Sequence, residues 1–94
     1  MSRFFDSFFS KEHFYSLGHD SKEGGAYFSI PVSNRYVDYE EYYRISSDEL
    51  KTFVEQPDLA IAFAEKCRKQ EMDDRLILTP GTDRGVARRP YLQK

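Results

Sequence analysis

The chain has 94 residues and a formal net charge of -2, and 16 % of its residues are aromatic. This length favours one small domain, and the aromatic content excludes a disordered chain, because disordered chains are poor in aromatics. A single cysteine excludes an internal disulfide and favours a reducing compartment. No apolar run reaches the roughly 18 residues of a transmembrane helix, so we expect a cytoplasmic protein with no membrane partner.

The first predicted element is a helix over residues 2–17, ended by Gly18. Its phenylalanines recur at spacings of one, three, four and five residues, which is closer to a helical stripe than to strand alternation. The polar side of the segment is not basic, so packing against the core is favoured over a membrane anchor. The phenylalanines are Phe4, Phe5, Phe8, Phe9 and Phe14.

Two strands joined by a short turn follow, and together they predict a β-hairpin. Apolar side chains alternate with other side chains over residues 26–32, which is the period of a strand. Pro31 has no amide hydrogen to donate, so we expect this strand to lie at a sheet edge or to end there. The second strand is expected over residues 36–45.

The second strand divides its side chains between two faces, because successive residues of a strand point in opposite directions. The face expected to pack on the helices is mostly apolar: Val37, Tyr39, Glu41, Tyr43 and Ile45. Glu41 interrupts it, which predicts either a bulge or a neighbouring cation at that position. The face expected to point outward holds Tyr36, Asp38, Glu40, Tyr42 and Arg44.

Two consecutive helices are predicted after the hairpin. Glu49 follows Ser46 by three residues, the arrangement of a capping box, so the first helix begins there. Pro57 ends that helix and suits the first turn of the second one. The expected buried residues are Leu50, Phe53 and Val54 in the first helix, and Leu59, Phe63 and Cys67 with the small Ala60 and Ala64 in the second.

The fold predicted from these elements is α+β. The short run RLIL at residues 75–78 indicates a further strand, and the basic segment 88–94 indicates a flexible tail. Residues 1–87 are therefore expected to form a single domain. Its antiparallel sheet has about three strands and is packed on one side by the N-terminal helix and the central helix pair.

The residue types that usually carry chemistry do not form a recognisable site in this sequence. The two histidines, His13 and His19, match no metal-ligand spacing. Cys67 falls on the apolar face of a helix, where a buried structural cysteine is the usual case. Glu40 and Glu41 would point to opposite faces of a strand and could not act as an acid/base pair. We therefore predict no catalytic residues, no metal and no cofactor.

The most distinctive surface feature is a concentration of acidic residues and tyrosines. Residues 37–55 contain six acidic and two basic side chains, hence a local charge of -4. Tyrosines offer large, rigid contact area, and carboxylates attract a basic partner while repelling nucleic acid. The predicted partner-binding residues are Tyr36, Asp38, Glu40, Tyr42, Asp48 and Glu49. A merely solvated sheet face is the alternative interpretation.

In its small size, its lack of catalytic residues and its stretch YVDYEEYYRISSDEL, the chain resembles the small bacterial immunity proteins that neutralise toxin nucleases. The resemblance implies a protein inhibitor whose acidic face imitates a phosphate backbone and occludes the basic active site of a toxin or another nucleic-acid-acting enzyme. The expected partner is a basic protein, with no direct nucleic-acid contact, and the expected state is a monomer or weak homodimer.

Two other functions stay open at this stage. The chain could be a small enzyme or ligand-binding domain with a pocket between sheet and helices, which would need polar groups converging on a cavity. It could also be a structural or regulatory subunit that oligomerises through the phenylalanine-rich N-terminal helix. In that case Phe4, Phe5, Phe8 or Phe9 would be exposed in the monomer.

Overall fold

An antiparallel sheet is the frame of the structure, a computed structural model that describes residues 3–81 and 83–88. The strands β1 to β4 follow one another as a meander, and the short β5 pairs with the end of β3. The predicted α+β class and antiparallel sheet are confirmed, with more strands than the expected three. The elements are β1 (Phe4–Ser10), β2 (Tyr15–Asp20), β3 (Ala26–Ser33), β4 (Asp38–Ile45), α1 (Ser47–Glu55), α2 (Pro57–Arg68), a short 3-10 helix (Asp73–Arg75) and β5 (Val86–Ala87).

The N-terminal segment is the main correction to the sequence prediction, since it forms the hairpin β1–β2 and not a helix. The register of β1 against β2 shifts between Asp6 and Phe8, which marks a β-bulge. The extra residue breaks strand alternation and leaves phenylalanines at three- and five-residue spacings on common faces, a pattern that imitates a helical stripe. Gly18 lies inside β2 and does not end an element.

The predicted hairpin of β3 and β4 is confirmed, although β4 begins at Asp38 and not at residue 36. β3 is an interior strand, but its pairing with β2 reaches only Ser29. The Pro31 carbonyl instead accepts a hydrogen bond of 3.0 Å from the Arg88 amide. The nitrogen and oxygen of one residue in an antiparallel strand point to the same side. The proline ring nitrogen therefore faces the side on which β2 no longer pairs with β3, and proline is tolerated there. The prediction that this strand lies at an edge or ends at Pro31 is wrong, because β3 continues to Ser33 and pairs there with both β4 and β5.

Both helices pack on one face of the sheet and begin where the sequence predicted. Ser46 and Glu49 form the capping box of α1, and Pro57 occupies the first turn of α2. Phe53 and Phe63 meet Phe28 of β3 with ring centroids 5.5 and 4.8 Å away. This aromatic cluster, with Tyr15 stacked on Phe28 at 5.0 Å, forms the centre of the core.

Several residues expected in the core lie at the surface. Val37 precedes β4 and is exposed, as are Val54 of α1 and Leu59 of α2. The buried side of α2 is narrower than predicted, with Ala60 and Ala64 fully covered where the helix approaches its neighbours. The exposed phenylalanines of β1 are Phe5, Phe8 and Phe9, at 51, 45 and 54 %.

The segment after the helices differs from the predicted strand over residues 75–78. A short 3-10 helix ends at Arg75, and Leu76 makes a single antiparallel bridge to Tyr43. The Ile77 amide then donates to the Tyr42 carbonyl at 2.9 Å, so this segment adds one contact and not a full strand to the free edge of β4. The predicted flexible tail falls mostly on residues 89–94, which lie outside the described residues.

Candidate functional site

The outer face of the sheet, opposite the helices, carries three of the six predicted binding residues. Asp38, Glu40 and Tyr42 alternate along β4 with core residues. On the other face Tyr43 and Ile45 are buried and Tyr39 is half-buried, as predicted, whereas Glu40 and Glu41 point to opposite sides. The small neighbours of these residues on β3 are Ser29, Pro31 and Ser33.

The outer face is concave, because β1 curls over it. Phe4 of β1 stacks on Tyr42 of β4 with ring centroids 3.7 Å apart, although two strands separate them in the sheet. Both rings stand nearly perpendicular to the ring of Tyr27, with centroids 5.3 and 5.0 Å away. Tyr27 is fully buried. Burial, with the charges of Glu40 and Asp6, raises the pKa of Tyr42 to about 12. Tyr42 is thus engaged within the protein and is a poor contact residue for a partner.

Glu40 is the unusual carboxylate of this face. It is half-buried and accepts a hydrogen bond of 2.8 Å from the Ser29 hydroxyl. Burial raises its pKa, the Ser29 hydrogen bond opposes that shift, and the negative charge of Asp6 adds to it. Asp6 itself accepts a hydrogen bond from the Tyr27 hydroxyl. Within residues 3–81 and 83–88, no lysine or arginine forms an ion pair with Glu40.

The other acidic residues of the predicted surface are more fully compensated. Asp38 is exposed, accepts from the Ser33 hydroxyl and lies 3.4 Å from the Arg88 guanidinium. Glu49 accepts from the Ser46 amide in the capping box and from Arg75 at 2.9 Å. The Arg75 hydrogen bond is the main cause that lowers the pKa of Glu49.

The predicted surface is divided by the structure into two parts. Asp48 and Glu49 begin α1, which packs on the face of the sheet opposite to Glu40 and Tyr42. Tyr36 lies in the turn before β4, 67 % exposed, with the Arg35 guanidinium 5.5 Å from its ring centre. Tyr36, Asp38 and Glu40 therefore remain as one group, which we call the β4 acidic patch.

A groove of about 510 Å³ adjoins the β4 acidic patch. It runs between β4 and the loop that precedes β5, and Asn34 ties this loop to the hairpin by a hydrogen bond of 2.9 Å to the Asp83 carbonyl. The second function left open by the sequence required a pocket between sheet and helices, whereas this groove lies at the outer edge of β4. Its lining residues are Asn34, Val37, Tyr39, Glu40, Glu41, Leu78, Thr79, Pro80, Gly81, Asp83 and Arg84.

Arg84 holds the loop side of the groove in place. Its Nε and Nη2 each donate to a Glu41 oxygen at 2.9 Å, and its two terminal nitrogens donate to Asp73 at 2.8 and 2.9 Å. Glu41 is 6 % exposed and also accepts from the Tyr43 hydroxyl at 3.0 Å. The hydrogen bonds to Asp73 and Glu41 raise the pKa of Arg84. Glu41 on the apolar face predicted either a bulge or a neighbouring cation, and that cation is Arg84.

The charge balance of the groove follows from this arrangement. Arg84 is shared by two carboxylates, so it carries no surplus positive charge into the groove. Glu40 also lines the groove and adds a negative charge, and its carboxylate accepts a hydrogen bond from the Ser29 hydroxyl on the outer face. Val37, Leu78 and Pro80 supply apolar surface between these charged groups. The groove can thus accept a side chain that has an apolar stem and a positive tip.

A second carboxylate, Asp20, is buried at the other end of the outer face. It accepts from Arg3 at 2.7 and 2.8 Å and from Arg44 at 2.9 Å, and it also accepts from the Lys22 and Glu23 amides. The Arg3 hydrogen bond is the main cause that holds the pKa of Asp20 far below its ordinary value. Fully paired, Asp20 fixes the ends of three strands and is unavailable to a partner.

The remaining chemistry-bearing residues do not assemble. Cys67 lies on the buried side of α2, and burial raises the pKa of its thiol. Among the residues that the structure describes, no three His, Cys, Asp or Glu side chains form a cluster able to hold a metal ion. None of the described helices has the length and apolar character needed to cross a membrane.

Comparisons with protein-family models, with curated proteins and with solved structures found no match to this chain.

Proposed function

We propose that this protein acts by binding a basic protein, and that a lysine or arginine of the partner enters the groove beside Glu40. The observation that carries the proposal is Glu40 itself: its carboxylate is half-buried, forms no ion pair among the described residues, and belongs to a residue that lines the groove. A partly desolvated carboxylate interacts more strongly with an incoming cation than a fully hydrated one does. The apolar stem of that cation would lie against Val37, Leu78 and Pro80.

The rest of the β4 acidic patch suits the rim of such an interface. Tyr36 is largely exposed, and tyrosine supplies rigid, amphipathic contact area at low entropic cost. Asp38 is exposed as well, and its ion pair with Arg88 is long and solvated, so it is weak and easily exchanged for a partner's cation. Rim charges of this kind mainly accelerate association.

The more specific form of the proposal is an immunity protein or a similar inhibitor. In this mechanism the β4 acidic patch takes the place of a phosphate backbone in the basic cleft of a toxin or another nucleic-acid-acting enzyme, and binding occludes the cleft. The partner would be steered to the patch by its own positive charge.

Affinity purification of the tagged protein from its native host, at about 0.1 M salt, tests the proposal. The expected result is a co-purifying basic protein, whose affinity is then measured by calorimetry. Glu40→Gln removes the charge and keeps the amide oxygen for Ser29, and it should weaken binding by roughly 30-fold or more. Glu55→Gln, an exposed carboxylate at the end of α1, is the matched control and should bind as the parent does.

The same experiment separates the β4 acidic patch from the wider surface expected from the sequence. Asp48→Asn should leave binding within about twofold, because rim charges far from the contact contribute little. Equal losses for Asp48→Asn and Glu40→Gln would favour the wider surface. Unchanged affinity for Glu40→Gln, or the absence of a basic partner, would contradict the proposal.

The folding stability of the Glu40→Gln variant shows whether a loss of binding could come from misfolding. The pKa of Glu40 is raised in the folded state above its ordinary value of 4.5, so the folded protein binds this proton more tightly than the unfolded chain. Folding stability is therefore lost as the pH rises from 4.5 through the folded-state pKa. Glu40→Gln should raise the melting temperature at about pH 7 and lose this advantage at about pH 3. A loss of binding in a stabilised variant could not come from misfolding.

A further inference from the structure

The strand β1 is an edge strand whose one protection against pairing, among the described residues, is its bulge. Among the described residues its only ladder partner is β2, so its other edge is open. Natural edge strands are commonly short, or carry prolines, charges or bulges. β1 has seven residues, and its single charged side chain, Asp6, is engaged by the Tyr27 hydroxyl. Phe5, Phe8 and Phe9 are meanwhile about half exposed.

The sequence of β1 is self-complementary in the antiparallel direction. Residues 4–9 read FFDSFF, so a two-fold axis between Asp6 and Ser7 places phenylalanine opposite phenylalanine. Phe4 then faces Phe9 of a second copy, and Phe5 faces Phe8. A two-fold interface requires this reciprocity, because each contact of one copy is repeated by the other.

The bulge makes the two-fold pairing geometrically possible. Side chains opposite each other across a two-fold axis must lie on the same face of a joined sheet, whereas residues three or five apart in a regular strand lie on opposite faces. In β1 the register shift between Asp6 and Phe8 places Phe5 and Phe8 on one face of the sheet, and Phe4 and Phe9 on the other. Phe5 and Phe8 pair with His19 and Leu17 on the helix side, and Phe4 and Phe9 pair with Asp20 and Ser16 on the outer side.

We propose that two copies of this chain associate through antiparallel pairing of their β1 strands, which joins the two sheets into one. Phe5 and Phe8 cover each other on the helix side. On the outer side Phe9 lies opposite Phe4, whose ring stays stacked on Tyr42 of its own copy. Asp6 lies opposite Ser7, so no like charges meet. The interface is one strand pair and falls below the roughly 1,200 Å² of a standard stable interface, so the dimer is weak and forms at high protein concentration.

The sequence left open a subunit that oligomerises through a phenylalanine-rich N-terminal helix. Because this segment is a strand, the association proposed here is strand pairing. This inference does not rest on the proposed partner, since it is argued from β1 alone, whose place in the strand order is at the edge opposite β4.

Sedimentation velocity of the full chain from about 1 µM to about 1 mM, a range in which a weak dimer changes its population by mass action, tests the dimer. The parent should shift from monomer to dimer within this range. Phe5→Lys should raise the dissociation constant at least tenfold, and the matched control Val54→Lys, which changes an exposed valine of α1, should not. A parent that stays monomeric throughout would overturn the proposal.

The register is tested by two double variants that differ only in the sign of the charge at residue 8. Phe5→Lys with Phe8→Glu places opposite charges across the two-fold axis and should dimerise at least tenfold more tightly than Phe5→Lys with Phe8→Lys, which places like charges there. Far-UV circular dichroism shows whether both are folded, which is expected for half-exposed edge positions. Equal association of the two folded variants would refute this register.

Discussion

Removal of the Arg84 side chain tests how the groove is held together. Arg84→Ala leaves the Glu41 carboxylate, which is 6 % exposed, without its cation and with only tyrosine hydroxyls as donors. Loss of one partner of a buried ion pair costs about 3–5 kcal/mol. Arg84 is itself 20 % exposed, so water can reach the vacated site and the low end, about 3 kcal/mol, applies. For a domain of this size that corresponds to a fall of roughly 12–24 °C in melting temperature.

The assay is urea denaturation of a double-mutant cycle. Glu41→Gln keeps an acceptor for the Tyr43 hydroxyl and removes the charge, so Arg84→Ala should cost at least about 1.5 kcal/mol less in that background. Arg35→Ala is the matched control, since this exposed arginine forms no ion pair within the described residues, and it should change stability by less than about 0.5 kcal/mol. Additive effects of Glu41→Gln and Arg84→Ala would refute the buried pair.

Three further substitutions test the fold by the same denaturation measurement. Ser46→Ala removes the α1 cap and should cost about 1 kcal/mol; no loss would contradict the capping box. Gly18→Ala would place a methyl group 2.1 Å from the Phe5 carbonyl oxygen and should cost about 1–3 kcal/mol; a neutral result would mean that β1 and β2 pair less closely. Phe63→Ala, 9 % exposed, should cost about 3–5 kcal/mol, and a cost below 1 would contradict the aromatic core.

The parts of the fold that could be predicted are those determined by local chemistry. The hairpin of β3 and β4 follows from side-chain alternation, and the start of α1 follows from the capping box of Ser46 and Glu49. Pro57 marks the boundary between two helices because it suits a first helical turn. Each of these signals spans only a few residues and is not altered by the rest of the chain.

The N-terminal hairpin could not be predicted because its deciding feature is an irregularity. A bulge adds one residue to a strand, so the apolar pattern of β1 is neither period two nor a regular helical period. The alternation of Tyr15 and Leu17 in β2 was a correct strand signal, but it covers too few residues to outweigh five phenylalanines at helical spacings. The register between the two strands is set by their pairing in the folded chain, and no local sequence signal gives it.

The strand period predicted which side chains of β4 share a face, but it did not predict the cations that pair with them. The local charge of -4 over residues 37–55 is reduced by arginines from later in the chain. Arg75 pairs with Glu49, Arg84 with Glu41 and Arg88 with Asp38. Glu41 on an apolar face indicated a cation, but no sequence feature distinguishes Arg84 from the other basic residues.

This pairing pattern explains why Glu40 carries the proposed function. Glu41 points into the core, where an uncompensated carboxylate would not be tolerated, so a cation beside it is a requirement of folding. Glu40 is one residue away on the half-buried outer side, where a carboxylate can persist with the Ser29 hydroxyl alone. Its raised pKa shows that this arrangement lowers the stability of the folded protein above the ordinary pKa. A partner's cation in the groove would reverse that loss, and so binding energy would be concentrated at the one carboxylate of β4 whose charge the described fold leaves without an ion pair.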